Sequence, residues 1–383
     1  MPNPNKKVVL VQKMFANYRK PVFDLLAQHV DLLVLYGHNN SGIETAKSNF
    51  SRKIPSIQYW FNDTAVILFP LFQILKFRPK VVILEFALGL FNLPFIILIC
   101  KIFGIKCAFW SHGYDRSIGF QPKRRLLDWY RLLLMKLVGA NIVYGKEDRD
   151  ILKIHLSKSK VFIAQNTMDT ISASKIYKEL EAEGKIEIKK RLKIDHEYNL
   201  IFIGRLIPSK KPELLIDMYE VLKNKFNLRV GVHFIGDGPM LDKIKETVMK
   251  KFIEADFYLH GPVYDDVKNG ELLFVSDLMV MPGYLGLSVN HAFCFGCPVL
   301  SFKKINGYPA HSPEVEYVIP NKTGFLLEEH SAEALAATGH KLFTDKDLQY
   351  KLRENIKLMV KDVFPLEKMV GGVVQCVDYL TDK

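Results

Sequence analysis

Two positively charged residues follow closely on an apolar stretch in the second half of the chain. The segment FIGRLIPSKKPELLI (residues 202–216) reads as a strand that ends at Gly204, a loop with Arg205 and Lys210, and a helix that begins near Pro212. A guanidinium offers a fork of donors to phosphate oxygens and an ammonium offers a point charge, so the pair suits a diphosphate. By residue type alone, a solvated basic loop explains the segment equally well.

A second segment, MPGYLGLSVNHAFCFGCPVLSF (residues 281–302), runs from a strand through a glycine-containing turn into a helix of small and apolar residues. Gly283 and Gly286 permit a tight turn there. A helix that begins near Ser288 presents unpaired amides and the positive end of its dipole. We therefore expect the backbone of this loop to bind an anion.

The helix in that second segment also carries a His-x-x-Cys-x-x-Cys pattern, formed by His291, Cys294 and Cys297. Zinc sites and redox pairs use such residues, but a structural zinc ion needs four ligands and this apolar helix supplies three. We therefore predict neither a metal site nor a redox pair here. The chain has five cysteines at irregular spacing, which indicates a reducing compartment and predicts a cytoplasmic location.

Short apolar runs alternate with helical stretches along almost the whole chain. Runs that read as buried strands are residues 7–12, 31–37, 80–85, 106–111, 141–145 and 160–166, followed by 199–205, 229–238, 256–261, 277–283, 298–302 and 324–328. Uninterrupted apolar strands with helices between them predict parallel sheets that helices cover on both faces. A stretch rich in Lys and Glu, residues 172–198, separates the two series.

The two series predict an α/β protein with two doubly wound, Rossmann-like parallel-sheet domains. We place the first domain at residues 1–170, a linker region at 171–198 and the second domain at 199–350. Residues 351–383 read as two helices that are broken at Pro365. Ligands of such sheets bind beyond the carboxyl ends of the strands, which favours a site in a cleft between the domains.

The strand, the Gly-Arg-Leu sequence and the lysine of residues 202–216 resemble a signature of retaining glycosyltransferase family 4, whose members have the GT-B fold. Further segments agree with that family in order and spacing: FIGDGPMLDKIK (234–245), DLMVMPGYLGLSVNHAFCFGCPVLSF (277–302), EVEYVIPNKTGFLLE (314–328) and VFPLEKMVGGVVQCV (363–377). The resemblance implies two domains that face each other across a cleft, with the nucleotide-sugar donor on the second domain and the acceptor on the first. It also implies a final helix that returns to the first domain.

The resemblance assigns roles to individual residues. Arg205, Lys210 and His112 take the catalytic roles, and the donor-binding positions are Gly204, Gly236, Gly283, Tyr284, Gly286, Leu287, Ser288 and His291. The chain departs from the family at two of these positions, because members usually have two glutamates where Gly283 and His291 stand. Contacts with the sugar and the ribose must therefore be made differently, through backbone amides, water or the His291 imidazole.

The first half of the chain supplies a histidine and an acceptor loop. His112, in FWSHGYD (residues 109–115), matches the family's histidine beyond a first-domain strand, where that histidine contacts the donor sugar or phosphate. A lone histidine is more often structural, but its place after a strand favours a functional role. The loop after the first strand lacks the glycines that the family often has there. Asn17, Tyr18 and Arg19 occupy this loop, and we predict that they bind the acceptor.

The positive charge of the chain lies in its first half. Residues 1–180 hold 26 Lys and Arg against 12 Asp and Glu, whereas residues 181–383 hold 27 against 29. The segment QPKRRLLDWYRLLLMKLVGA (121–140) combines such charges with Trp129, Tyr130 and many leucines, which is typical of a helix in a membrane interface. A packed helix with a basic rim explains it equally well. We predict peripheral contact with the inner face of the cell membrane, and no nucleic-acid partner because a recognition motif is missing.

Membrane-spanning and secretory segments are not expected. The run FALGLFNLPFIILIC (residues 86–100) is uncharged, but it falls short of the ~20 residues that a spanning helix needs, and we read it as a buried or interfacial helix. The stretch MPNPNKKVVLVQ enters a strand pattern at once, so we expect no signal peptide.

We predict an enzyme that transfers a sugar from a UDP- or GDP-sugar to a hydroxyl of a glycan or a lipid-linked saccharide. The resemblance implies retention of the anomeric configuration, no required metal or cofactor, and a role in bacterial surface polysaccharide biosynthesis. Two alternatives remain open. One is a non-catalytic nucleotide-sugar-binding or scaffold protein, which the missing glutamates would fit. The other is a GT-B sugar-nucleotide epimerase.

Overall fold

Two parallel β-sheets organise the chain, one in each of two units. The computed structural model describes residues 3–37, 45–58, 66–156 and 160–382. The first unit comprises residues 1–169 together with 366–383, and the second unit comprises residues 170–365. The fold class predicted from the sequence, two doubly wound parallel-sheet domains, is confirmed.

The elements follow one another in the alternating order that the sequence predicts. The strands are β1 Asn3–Gln12, β2 Val30–Tyr36, β3 Ser51–Lys53, β4 Ser56–Gln58, β5 Val66–Leu68, β6 Val81–Glu85, β7 Lys106–Trp110, β8 Ala140–Val143, β9 Val161–Ile163, β10 Tyr198–Ile203, β11 Val230–Ile235, β12 Phe257–Gly261, β13 Leu278–Val280, β14 Val299–Phe302 and β15 Gly324–Leu327. The α-helices are α1 Lys20–Leu26, α2 Leu71–Phe77, α3 Leu93–Ile102, α4 Leu126–Leu137, α5 Lys146–Lys153, α6 Thr170–Glu183, α7 Lys185–Arg191, α8 Leu214–Phe226, α9 Leu241–Lys250, α10 Asp266–Val275, α11 Ser288–Cys294, α12 Ala332–Thr344, α13 Lys346–Asp362 and α14 Leu366–Thr381.

The sheet of the first unit has the described strand order β3-β2-β1-β6-β7-β8-β9, with every neighbouring pair parallel. Along β1, Val9 and Val11 belong to the core on one face, and Val8 and Leu10 belong to the core on the other. Helices α2 to α5 supply side chains to the first core, whereas α1 and α14 supply the second. Burial on both faces explains why these strands are apolar without alternation.

The last helix, α14, is part of the first unit although the second unit precedes it in the chain. Its buried side chains include Met369, Val373 and Cys376, which belong to the same core as α1. An ion pair of 2.6 Å joins Lys6 Nζ to Asp378 Oδ1 and ties β1 to this helix. Removal of α14 would therefore expose the part of this face of the first sheet that α1 does not cover.

The sheet of the second unit has the described order β12-β11-β10-β13-β14-β15, and all of its neighbouring strands are parallel. Residues 171–198, which we predicted to be a linker region, belong to this unit and include nearly all of α6 and the whole of α7. Lys185 Nζ on α7 lies 2.5 Å from Asp277 Oδ1, and the other carboxylate oxygen of Asp277 accepts a hydrogen bond from the Asn199 amide. This contact fixes α7 against the start of β10.

Candidate active site

The ends of β10 and β11 approach each other at two glycines. The Gly204 amide donates to the Ile235 carbonyl at 2.9 Å, and the Gly236 amide donates to the Gly261 carbonyl at 2.8 Å. A Cβ on Gly236 would lie 1.9 Å from the Gly204 carbonyl oxygen, and the backbone φ there is +137°. Glycine is therefore the residue that lets the loop after β10 pass this close to β11.

Lys210 lies above the end of β10, at the close of a short 3-10 turn formed by Pro208–Lys210. Its ammonium occupies the space beside Gly204, where a Cβ would be 2.7 Å from Nζ. Nζ also lies 3.6 Å from the Met281 sulfur and 5.9 Å from the centre of the Tyr284 ring. In the part of the chain that the structure describes, no carboxylate stands within ion-pairing distance of this lysine.

Burial and the nearby Arg205 charge lower the pKa of Lys210 to about 8. Both effects disfavour the charged form, and a bound anion would relieve them. The Arg205 guanidinium is exposed and likewise has no acidic partner among the described residues. Two cations without acidic partners among the described residues thus lie at the carboxyl end of a central strand, an arrangement that suits a doubly charged ligand.

The loop after β13 is bonded directly to the lysine turn. The Gly283 amide donates to the Lys210 carbonyl and the Tyr284 amide donates to the Ser209 carbonyl, both at 3.1 Å. A Cβ on Gly283 would lie 2.2 Å from the Ser209 carbonyl oxygen. Gly283 and Gly286 are absent from the described residues with positive φ, so close backbone approach rather than a tight turn accounts for the glycine at position 283. The glutamate usual in the resembled family could not occupy position 283 in this conformation.

A buried histidine that the sequence analysis did not single out holds the same loop from the other side. His311 Nδ1 accepts a hydrogen bond from the Leu285 amide at 3.1 Å, and His311 Nε2 donates to the Phe302 carbonyl at 2.8 Å. This pattern requires the neutral tautomer with the proton on Nε2. The Tyr284 hydroxyl also bonds the Ser312 hydroxyl. Leu285, and with it the start of α11 at Ser288, is thereby fixed relative to Lys210.

His291 lies on α11, one turn beyond the start of the helix, and is half-buried. Burial lowers its pKa, with a small opposing effect of the Asp266 charge. The imidazole is therefore neutral near pH 7 and can donate or accept a hydrogen bond. Its neighbours Cys294 and Cys297 are buried. The described residues contain no group of three or more His, Cys, Asp and Glu side chains that could hold a metal ion.

In the first unit, His112 follows the carboxyl end of β7 and contacts two groups. Its ring centre lies 4.9 Å from that of Tyr144, and its Nδ1 lies 3.4 Å from Oδ2 of the fully buried Asp148. Arg116 forms an ion pair with the other oxygen of the same carboxylate. Asp148 thus holds His112 and Arg116 on one side of the sheet edge.

The loop that we predicted to bind the acceptor lies beside the same tyrosine. The Arg19 guanidinium carbon is 5.3 Å from the ring centre of Tyr144 and 5.9 Å from that of Trp110. Asn17 and Tyr18 are exposed in the turn before α1. The structure therefore brings both Arg19 and His112 next to Tyr144, a residue that the sequence analysis missed because no motif marks it.

Comparison with known proteins identifies the segment that carries the two unpaired cations. Residues 184–359 match the family model described as glycosyl transferases group 1. This segment is similar to glycosyl transferases group 1. The matched segment contains Arg205, Lys210 and the loop from Gly283 to His291.

Two proteins of Staphylococcus aureus are similar to part of this chain. The poly(ribitol-phosphate) alpha-N-acetylglucosaminyltransferase of strain COL is 30% identical over 135 residues, which are 35% of this chain and 26% of that protein. The capsular polysaccharide biosynthesis glycosyltransferase CapH is 31% identical over 105 residues, which are 26% of this chain and 29% of that protein. The chain thus spans less than a third of the length of either curated relative.

Solved structures match both units of the chain. A glycosyltransferase from Rickettsia africae ESF-5 has a TM-score of 0.71 at 14% identity and covers 99% of this chain and 100% of its own. Anabaena Alr3699/HepE in complex with UDP has a TM-score of 0.70 at 15% identity and covers 97% of this chain and 99% of its own. At these identities the similarity concerns the fold, which is that of GT-B glycosyltransferases.

Proposed function

We propose that this protein is a retaining glycosyltransferase that moves a sugar from a nucleotide diphosphate donor to a hydroxyl of a glycan or a lipid-linked saccharide. The observation that carries the proposal is the pair Arg205 and Lys210, two cations without a described acidic partner at the carboxyl end of β10. The pair lies in a segment that matches glycosyl transferases group 1. The donor diphosphate would supply the counterions that the described residues do not.

In the proposed reaction, the acceptor hydroxyl oxygen bonds to the anomeric carbon while the bond from that carbon to the diphosphate breaks. The diphosphate leaves with the electron pair and takes up the proton of the acceptor hydroxyl. Negative charge grows on the leaving phosphate, and Arg205 and Lys210 stabilise it. The hydroxyl attacks from the face that the diphosphate leaves, so the configuration is retained without a protein nucleophile.

The sugar and ribose contacts of this enzyme must differ from those of members that have two glutamates. Position 283 offers no side chain, and His291 offers a neutral imidazole in place of a carboxylate. We assign His291 to a hydroxyl of the donor. The contact with the donor that the resemblance implies for His112 stays a prediction, as does acceptor binding by Asn17, Tyr18 and Arg19.

The acceptor class is proposed from the relatives. One curated relative is named for transfer to poly(ribitol-phosphate) and the other for capsular polysaccharide biosynthesis. Both names describe polymers of a bacterial surface. We propose that the acceptor here is an intermediate of such a polymer, and that the enzyme requires no metal or cofactor.

The test is product analysis with UDP-glucose, UDP-N-acetylglucosamine and GDP-mannose, with EDTA present. We expect one donor to release its nucleoside diphosphate, and mass spectrometry to show its sugar on a hydroxyl of an added cell-envelope glycan extract. Binding of a donor without release, for every donor, would favour a scaffold. Conversion of a donor into its epimer without release would favour an epimerase. Loss of turnover on addition of EDTA, restored by Mg²⁺, would contradict the metal-independent mechanism.

The pKa of Lys210 predicts how nucleotide affinity depends on pH. The free lysine loses its proton near pH 8, and a bound diphosphate favours the charged form, so binding near this pH takes up a proton. We expect UDP or GDP affinity to fall about tenfold between about pH 7 and about pH 9. Above the pKa of Lys210 in the free protein, the lysine must take up a proton from solution when the nucleotide binds.

Calorimetry in two buffers of different ionisation enthalpy measures this proton uptake. The Lys210→Arg variant is the matched control, since a guanidinium stays charged throughout this range and should abolish the uptake. Equal proton uptake in the wild type and in the variant would show that another group is responsible.

A further inference from the structure

Two neighbouring helices of the first unit present apolar side chains to solvent. Helices α3 and α4 pack against the same core on one face of the sheet. Their outward residues are Phe95, Leu98 and Ile102 on α3, and Leu126, Trp129, Tyr130, Leu133 and Leu137 on α4. The exposed fractions run from 37% for Tyr130 to 77% for Leu126. We call these eight side chains the apolar face.

Both helices are apolar on the side where a surface helix is normally polar. The opposite side of α3 is already buried through Leu93, Ile96, Ile97 and Cys100, so the domain core does not need the outward residues. The spacing of the α4 residues by three and four positions places them in one stripe. A cluster of exposed apolar side chains of this kind marks an interaction site.

Cations that have no acidic partner among the described residues border the apolar face. Two arginines of the 121–140 segment are engaged internally, because Arg131 and Arg125 lie 2.6 and 3.4 Å from the fully buried Asp128 carboxylate. Lys123 and Arg124 are exposed at the start of α4. Over the described ranges, neither has a carboxylate within ion-pairing distance.

A basic cavity lies at the carboxyl ends of α3 and α4. A cavity of about 310 Å³ opens where β7 and β8 begin, and its lining includes Lys101, Lys106, Lys136 and Lys160. Lys101 and Lys136 stand in the last turns of α3 and α4, next to Ile102 and Leu137 of the apolar face. Within the described part of the chain, none of the four lysines pairs with a carboxylate. We call this site the lysine cavity.

We propose that the apolar face lies in the interfacial layer of an anionic membrane and that the lysine cavity binds the phosphate of a lipid headgroup. The combination of leucine, tryptophan and tyrosine with flanking lysines matches the chemistry of that layer. A second copy of the chain is disfavoured as the occupant, because it would bring two sets of unpaired cations together. The described residues include no helix with the length and apolar character needed to cross a bilayer.

Cosedimentation of the full chain with vesicles tests this proposal independently of any transferase activity. We expect the protein to bind vesicles of phosphatidylcholine with phosphatidylglycerol, and not vesicles of phosphatidylcholine alone. The Leu98→Glu/Leu133→Glu variant should lose this binding. The Lys101→Ala/Lys136→Ala variant should bind more weakly, by about fivefold for each lysine.

Phe252→Glu is the matched control, because this phenylalanine is 88% exposed on the second unit and lies outside the apolar face. It should bind vesicles like the wild type. Trp129 gives a second readout, since acrylamide quenching of its fluorescence should fall on vesicle binding. The proposal is overturned if the wild type does not bind anionic vesicles, or if both double variants bind them with the affinity of the wild type. A dimer that only Leu98→Glu/Leu133→Glu dissociates, without vesicle binding, would assign the face to a second copy.

Discussion

We expect the Arg205→Ala variant to lose sugar transfer by a factor of about 10² to 10³ in kcat/KM, with a similar loss for Lys210→Ala. The guanidinium and the ammonium have no described acidic partners, so their charges remain available to the leaving diphosphate. Groups that stabilise charge developing in the transition state affect the reaction rate more than they affect binding in the ground state. The affinity for UDP or GDP should therefore fall less than kcat/KM.

Lys211→Ala is the matched control for this pair. Lys211 is the next residue in the chain, but its ammonium lies 4.8 Å from the ring centre of Tyr308 and takes no part in the proposed site. We expect its transfer rate to stay close to that of the wild type. If Arg205→Ala and Lys210→Ala have the same kcat/KM for sugar transfer as Lys211→Ala, the proposed roles are wrong.

Gly236→Ala should destabilise the second unit by about 4 kcal/mol. The new methyl group would lie 1.9 Å from the Gly204 carbonyl oxygen, on a backbone with φ of +137° that alanine rarely adopts. Strained backbone and overpacking each cost about 1–3 kcal/mol, and here both apply. Because Gly204 carries the Arg205 loop, the relaxation needed to fit the methyl group should also move the cation pair.

Denaturant unfolding of the two variants Gly236→Ala and Gly184→Ala separates the cost of backbone strain from the cost of overpacking. Gly184 also has a positive φ, +88°, but a Cβ there would meet no atom within 4 Å. We expect Gly184→Ala to cost only about 1–2 kcal/mol, from backbone strain alone. Equal destabilisation by the two substitutions would contradict the close approach of the two loops.

The fold could be predicted from the sequence because its strands are buried on both faces. Each apolar run that we read as a strand overlaps one of the observed strands. The strands that we missed, β3, β4 and β5, have three residues each, and Arg52 and Lys53 of β3 are exposed. Such segments become strands through pairing with a neighbour, which composition does not record.

The candidate site could be predicted only where its residues are close in sequence. Arg205 and Lys210 are five positions apart on the loop that follows Gly204. The loop itself therefore keeps both residues near that glycine. His311 and Tyr144 lie far along the chain from the residues they hold, and the fold alone brings them together. The sequence predicts a turn at Gly283, whereas the close approach of the Ser209 carbonyl to this glycine is visible only in three dimensions.

A crystal structure of the protein with UDP or GDP, whichever the product analysis selects, is the most direct test of the central claim. We predict that the diphosphate oxygens lie about 3 Å from the Arg205 guanidinium and from Lys210 Nζ. A diphosphate bound at another place, with both side chains left in solvent, would contradict the proposed site.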